Sequence, residues 1–273
     1  MGVEDTPALP LCCMTFDSTS TVLVTGASRG LGAAFAQRIA RTGARVVLVA
    51  RSEAALAEVA DRVLQLGGEP VVLDADLAQP GTAADLASRL ADADLAIDGL
   101  VNNAGYGVAA PFLDASPDDA EGMVMLNAVA LTGLTRQLVP GMVSRGRGGV
   151  LNVASIAGFA PSPRFAVYAA TKAYVRSFSD ALHAELRGTG VAVTCLHPGP
   201  VRTGFAKRAG MDDRFFSGAL PAETVVAAGL AALAAGRRQI VPGWTNKVQT
   251  AATRVVPTAL TLRVAEAVMR RAG

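Results

Sequence analysis

Tyr168 and Lys172 stand four residues apart in Tyr168-Ala-Ala-Thr-Lys172, and Ser155 lies thirteen positions upstream. On a helix, that spacing puts two side chains on one face, one turn apart. A phenol beside an ammonium is a means of making a proton donor and acceptor that works near neutral pH. Free tyrosine titrates near ~10, and a fixed positive charge close by favours the phenolate. Bringing that value down to about 7 takes roughly 4 kcal/mol of differential stabilisation. One lysine in an open site falls short of this, so a second cation is expected nearby. Taken alone, the pair is equally well the solvated face of a helix. Its weight comes from the rest of the chain.

A glycine-rich turn supplies the first companion. Thr25-Gly-Ala-Ser-Arg-Gly-Leu-Gly32 follows an apolar strand pattern at 21–25 and opens a helical one at 31–41. Glycine at 26, 30 and 32 permits a tight turn and close approach of a pyrophosphate to the backbone. The helix N-terminus then presents free N–H groups and its positive dipole end to the anion. The spacing is G-x-x-x-G-x-G rather than G-x-G-x-x-G. A dinucleotide bound here brings the second cation, an oxidised nicotinamide ring. The next strand pattern ends Val49-Ala50-Arg51, where an acid would favour NAD by binding the ribose 2′-hydroxyl. A guanidinium instead matches a 2′-phosphate in fork geometry. With Arg29 inside the loop as a second clamp, the expected cofactor is NADP, NAD being the lesser alternative. Glu53, two residues on, weighs slightly the other way.

The elements that must hold these groups alternate along the chain. Strand patterns fall at 21–25, 45–50, 70–74, 96–101, 150–154, 191–196 and 239–241, and helical ones at 31–41, 53–66, 81–91, 117–144, 165–187 and 221–235. This alternation predicts an α/β fold: one doubly wound parallel sheet of about seven strands, with helices on both faces. The length of 273 residues suits a single large domain, with 51% hydrophobic and 18% charged residues. We divide the chain into a flexible arm at 1–20, a catalytic domain at 21–243 and a helical tail at 244–273. A net charge of +2 without a basic block, and few aromatics, argue against a nucleic-acid partner. Cys12, Cys13 and Cys195 have no metal spacing, and the adjacent pair cannot staple a fold. A reducing, cytoplasmic setting is expected, since no signal-peptide pattern or run of eighteen apolar residues is present.

At this point the chain resembles the short-chain dehydrogenase/reductase family over residues 21–243. The likeness rests on motifs in order: the loop 25–32, Asp76-Leu77, Asn102-Asn-Ala-Gly105, Asn127, Ser155, Tyr168 with Lys172, and Pro198-Gly-Pro-Val201 with Thr203. The resemblance implies roles for them. Tyr168 is the general acid/base, Ser155 holds and polarises the reacting oxygen, and Lys172 binds the nicotinamide ribose and lowers the Tyr168 pKa. Asn127 holds a water on a proton path to Lys172. Gly26, Ser28, Arg29, Gly30, Leu31 and Arg51 hold phosphates. Asp76 and Leu77 meet the adenine, and Asn103, Ala104 and Gly105 line the cofactor. Pro198, Gly199, Val201 and Thr203 cup the nicotinamide carboxamide. His183, His197 and the pairs Asp118-Asp119 and Asp212-Asp213 are read as structural or solvated, with no metal site.

The expected reaction is hydride transfer between nicotinamide and a ketone or secondary alcohol. The alternatives weighed are a redox-sensing regulator without turnover and an isomerase or epimerase using the same tyrosine and lysine. Substrate walls are expected at 106–112, 156–165 and 205–220, the last an apolar lid with Phe205, Met211, Phe215 and Phe216. That content suggests a lipid-like, steroid-like or 3-oxoacyl substrate. The tail has apolar residues at helical spacing (Val248, Val255, Leu260, Leu262, Val264, Val268) and basic ones at Arg254, Arg263, Arg270 and Arg271. Packing on the domain or on a partner subunit is expected in preference to peripheral contact with a membrane. Family likeness further implies a homodimer or homotetramer, through Ala128 and Ala130 on one helix and Ala169, Ala170 and Ala173 on another.

Overall fold

The structure, a computed structural model, describes residues 15–211, 218–253 and 255–269. Seven strands form one parallel sheet: β1 (Thr21–Thr25), β2 (Arg45–Ala50), β3 (Glu69–Asp74), β4 (Gly99–Asn102), β5 (Gly148–Val153), β6 (Val191–Leu196) and β7 (Gln239–Ile240). Their order is β3-β2-β1-β4-β5-β6-β7. The helices are α1 (Gly30–Ala40), α2 (Glu53–Gln65), α3 (Thr82–Asp92), α4 (Pro117–Val124), α5 (Leu131–Ser144), α6 (Ala166–Glu185), α7 (Phe205–Arg208), α8 (Ala222–Ala234), α9 (Trp244–Ala252) and α10 (Thr258–Met269).

The continuous apolar strands are explained by burial on both faces. Successive side chains alternate between two cores. Val22, Val24, Val46 and Leu48 pack with Phe35, Leu56 and Val225 under α1, α2 and α8. Leu23, Val47 and Val49 pack with Leu86, Leu134 and Met142 under α3 and α5. The strand order reverses between β1 and β4, and open α/β sheets bind ligands outside the carboxyl ends of the strands at such a switch point.

Three local outcomes differ from the sequence pattern. First, β4 begins at Gly99 rather than at residue 96. The buried Asp98 carboxylate accepts from the Thr21 N–H (3.1 Å) and faces Arg145 and Arg147, so side-chain bonds anchor the strand's entry. Second, the helical run from 117 to 144 is not uniform. Met125–Ala130 winds as a π-helix between α4 and α5, a local widening that is frequent at functional sites. Third, most of the tail's apolar pattern faces outward, Leu262 being half-buried. Val248, Val255, Leu260, Val264 and Val268 are all exposed, whereas Asn246, Thr250 and Met269 are buried. At the other end of the chain, Phe16 packs against Gly99 at the foot of the sheet.

Candidate active site

The phosphate loop is shaped by close approach. Gly26 sits at φ +65°, and a Cβ on Gly32 would run into the Gly26 carbonyl. The loop is locked to the segment after β4. Thr25 Oγ accepts from the N–H groups of Asn103 and Ala104, both at 2.9 Å, and the Asn103 side chain donates to the Thr25 carbonyl at 2.8 Å. The N-terminus of α1 has no side-chain cap and no acid in its first turn. By contrast, α2 is capped by Ser52. An uncapped helix start behind a glycine cradle fits a pyrophosphate, so the residues present suit a dinucleotide.

The other candidate cofactor contacts gather around this loop. Thr203 stands against Gly30. Ser28 and Leu31 are half-buried beside it, and Arg29 and Arg51 are exposed at the mouth. The Asp76 carboxylate turns back on the Ala78 N–H (3.1 Å), and Leu77 is buried in the core. Pro198 accepts from the Ile156 N–H at 2.9 Å, joining its turn to the Ser155 segment. Val201 bridges to Leu220. Gly199 is pressed by the Asn246 side chain of α9, where no Cβ would fit. Arg208 on α7 also reaches this region: burial, and then the charge of Arg29, hold its guanidinium below its ordinary value.

The candidate proton-handling groups sit at the carboxyl ends of β5 and β6. Tyr168 and Lys172 are both buried on the first turns of α6, at 7% and 5% exposure. Lys172 Nζ donates to the Val153 carbonyl at 2.8 Å and lies 5.7 Å from the Tyr168 ring centre. Ser155 follows β5, and its Oγ accepts from the Ala157 N–H at 3.1 Å, capping a short 3₁₀ turn. The same hydroxyl acts on Tyr168, where it favours the phenolate. Asn127, on the π-helical turn, is 1% exposed. Its amide donates to the Tyr106 carbonyl (2.9 Å) and to Thr171 Oγ (3.1 Å), while its carbonyl accepts from the Tyr106 N–H (3.1 Å). Gly105 packs against both Asn127 and Lys172.

Burial dominates the electrostatics of the pair. Burial pushes the Tyr168 phenol up to about 12, against the smaller opposing effect of Ser155. Burial likewise brings Lys172 down to about 8. The Lys172 ammonium is turned onto the Val153 carbonyl.

The expected substrate walls converge on Tyr168. Its ring stacks on Phe165 at 4.3 Å and lies 5.6 Å from Phe205. Tyr106, Val108, Ala109, Ala157, Ala209 and Met211 join the same cluster. The Ala109 N–H donates to the Ala209 carbonyl at 2.9 Å, tying two walls together. Phe112 lies apart, largely exposed. Phe215, Phe216, Asp212, Asp213, Arg254, Arg270, Arg271, Cys12 and Cys13 fall outside the described residues. Sequence reasoning passed over Met123 and Met269, which complete the cluster. His183 Nδ1 donates to the Val193 carbonyl at 2.8 Å, and Cys195 is buried, its thiol pushed up to about 12 by burial. Among the described residues, no group of three or more His, Cys, Asp or Glu side chains is placed to hold a metal. No described helix is long and apolar enough to cross a membrane.

A doubly wound sheet, a glycine-rich loop at its switch point and a buried Tyr168–Lys172 pair beside the half-buried Ser155 define the scaffold of a dinucleotide-dependent enzyme. A family model described as short chain dehydrogenase matches residues 20–214, and the chain belongs to the short-chain dehydrogenase/reductase family. It is 37% identical over 188 residues to the ketoacyl reductase HetN of Nostoc sp., covering 69% of this chain and 66% of that protein. The chain thus spans slightly under two thirds of that relative's length. Among solved structures, a short-chain dehydrogenase from Sphingobium yanoikuyae in complex with NADPH is 34% identical. It aligns with a TM-score of 0.79 over 89% of this chain and 94% of that one. One from Burkholderia phymatum in complex with NAD is 26% identical. Its TM-score is 0.77 over 88% and 93%.

Proposed function

We propose that the chain is an NADP(H)-dependent oxidoreductase moving a hydride between nicotinamide and a ketone or secondary alcohol with an apolar body. The observation that carries this reading is the placement of Tyr168. Its phenol is buried in an apolar cluster, one helical turn from Lys172 and beside Ser155, at the carboxyl edge of the sheet. A bound dinucleotide supplies or accepts the hydride, and its oxidised ring adds positive charge.

The chain's own residues do the remainder. Ser155 holds the substrate oxygen through its hydroxyl. Tyr168 donates its proton to that oxygen in reduction and takes it back in oxidation. Lys172 binds the ribose hydroxyls, and Asn127 holds the turn that keeps Gly105 against the lysine. Asn103 and Ala104 fix the loop floor, Asp76 and Leu77 meet the adenine, and Pro198, Gly199, Val201 and Thr203 hold the carboxamide. Arg29 and Arg51 clamp the 2′-phosphate and set the preference for NADP. The apolar cluster favours lipid-like, steroid-like or 3-oxoacyl substrates, in keeping with HetN's description as a ketoacyl reductase. A homodimer or homotetramer is part of the same reading.

The test is a panel of ketones, 3-oxoacyl esters and alcohols assayed with NADPH and NADH side by side. Tyr168→Phe is expected to lose about 10²–10⁴-fold in kcat, the usual weight of a positioned acid/base. Full turnover in that variant, or turnover only on small polar sugars, overturns the reading. A large preference for NADH overturns the assignment of the two arginines.

A further inference from the structure

The two tail helices leave apolar faces on the outside of the molecule. On α9 the buried side chains are polar, Asn246 and Thr250. The Asn246 amide donates to the Pro242 carbonyl at 2.7 Å and presses on Gly199, and Thr250 Oγ donates to the Asn246 carbonyl at 2.9 Å. The outer face carries Trp244, Lys247, Val248, Ala251 and Ala252, all exposed. On α10 the exposed residues Leu260, Arg263, Val264, Ala267 and Val268 repeat the same spacing, i, i+3, i+4, i+7, i+8, with a cation again in second place. That spacing is one face of a helix. The opposite face of α10, Leu262, Ala265, Glu266 and Met269, is half-buried or buried.

Packing within the chain accounts for the inner faces alone. We propose that the outer faces of α9 and α10 form a docking surface for an anionic lipid bilayer. Their apolar side chains lie at the boundary of headgroups and acyl chains, and Lys247 and Arg263 lay their stems along it to reach phosphates. Charge points to this occupant, since neither stripe holds an acid. Residues 244–273 carry Lys247, Arg254, Arg263, Arg270 and Arg271 against Glu266 alone, in a chain of 25 basic and 23 acidic residues. The rest of the chain is therefore net negative, and the excess positive charge is gathered in the tail. Trp244 is 75% exposed, and tryptophan is enriched where water meets lipid. A nucleic acid would use the cations but leave Trp244 and the valines in water. A second copy laid face to face would set the cations against their like. At 9 and 12 residues, the helices are about 14 and 18 Å long, short of the ~30 Å hydrocarbon core, so they lie on the bilayer.

Trp244 is the chain's one tryptophan, so its fluorescence reports on this surface directly. The full chain is mixed with vesicles of phosphatidylcholine alone and of phosphatidylcholine with phosphatidylglycerol. With the mixed vesicles, Trp244 emission is expected to move to shorter wavelength, its quenching by acrylamide to fall, and the protein to sediment with the lipid. Binding to them is expected to be at least about tenfold tighter than to phosphatidylcholine alone, as two or more surface cations supply, and to weaken in high salt. Lys247→Glu with Arg263→Glu is expected to remove that preference. Val248→Gln with Val264→Gln is expected to weaken binding to both lipids, with thermal unfolding as in wild type. Unchanged emission and no sedimentation with the mixed vesicles overturn the proposal, whatever the variants do. So does sedimentation with Trp244 still open to acrylamide, which puts the lipid on another face, and so does a preference unmoved by the two charge reversals. Light scattering without lipid completes the test. A mass halved by Val248→Gln with Val264→Gln assigns the stripes to a second copy and overturns lipid docking.

Discussion

At the residue scale, burial sets the chemistry of the site and of one group behind it. Tyr168 and Lys172 are shifted in opposite directions, each toward its neutral form, as desolvation requires. His197 obeys the same rule beneath Ser155. It is fully buried, neither ring nitrogen makes a hydrogen bond of good geometry, the Ser155 backbone being its nearest polar partner, and its ring meets Phe159 edge-on at 4.8 Å. Burial holds it at about 4, against a lesser pull toward the charged form from the Ser155 backbone. The stability consequence has a definite sign. Between about 6.5 and 4 the unfolded chain binds a proton at this histidine and the folded chain does not. Stability therefore falls as the pH drops through that window, by about 3 kcal/mol from this residue. His197→Leu, which removes the buried nitrogens, is expected to flatten the loss. Urea unfolding at pH 7 and pH 4 measures it, and an equal acid loss in wild type and variant contradicts the account.

At the element scale, the decisive feature is the start of α1. The helix begins on Gly30 with Arg29 extended before it and no side chain across its end. Gly32 cannot carry a side chain without moving the Gly26 carbonyl. Gly32→Val is therefore expected to raise the Kd for NADPH at least about tenfold, read by fluorescence titration, since the cradle and the open N–H groups shift together. Binding at wild-type strength with an unaltered melting temperature counts against this loop as the phosphate site. The loop was legible in the sequence because its signal is local: a strand, three glycines and a helix in succession. Tyr168 and Lys172 were legible for the same reason, being one turn apart. The π-helical turn at Met125–Ala130 was not, because apolar spacing runs through it without a break. Nor was the pairing of Gly199 with Asn246, two residues brought together only by the fold. In the tail, periodicity revealed helices but not their orientation. The apolar stripe faces outward, and the inward contact is made by Met269, one residue past the Leu260-Val264-Val268 repeat.

At the scale of the whole molecule, the question is what covers the apolar surface left on the outside. Val124, Val129 and Tyr174 are 43%, 49% and 43% exposed on α4, the π-helical turn and α6. Ala170 and Ala173 are exposed beside Tyr174, whereas Ala128, Ala130 and Ala169 are consumed by packing within the chain. The small-residue contact expected from the sequence is thus narrowed to the outer side of α6. In the oligomer we propose, a two-fold axis there would set α6 and the α4–α5 run of one copy against those of the other. Small residues let the backbones approach, and the valines and tyrosine supply the apolar area. Tyr174 is held in place within the chain, its hydroxyl bonded to Thr132 at 2.8 Å and its ring stacked on Phe178 at 5.9 Å. Ala173→Arg adds bulk and charge at an exposed position that makes no core contact, so each chain still folds. Wild type is expected to show at least twice the chain mass by light scattering, and Ala173→Arg half the wild-type mass at the same concentration. Unchanged mass in the variant, with wild type oligomeric, places the interface on another face. The outward stripe of α10 is then the next surface to substitute, since Leu260, Val264 and Val268 offer the other long apolar run.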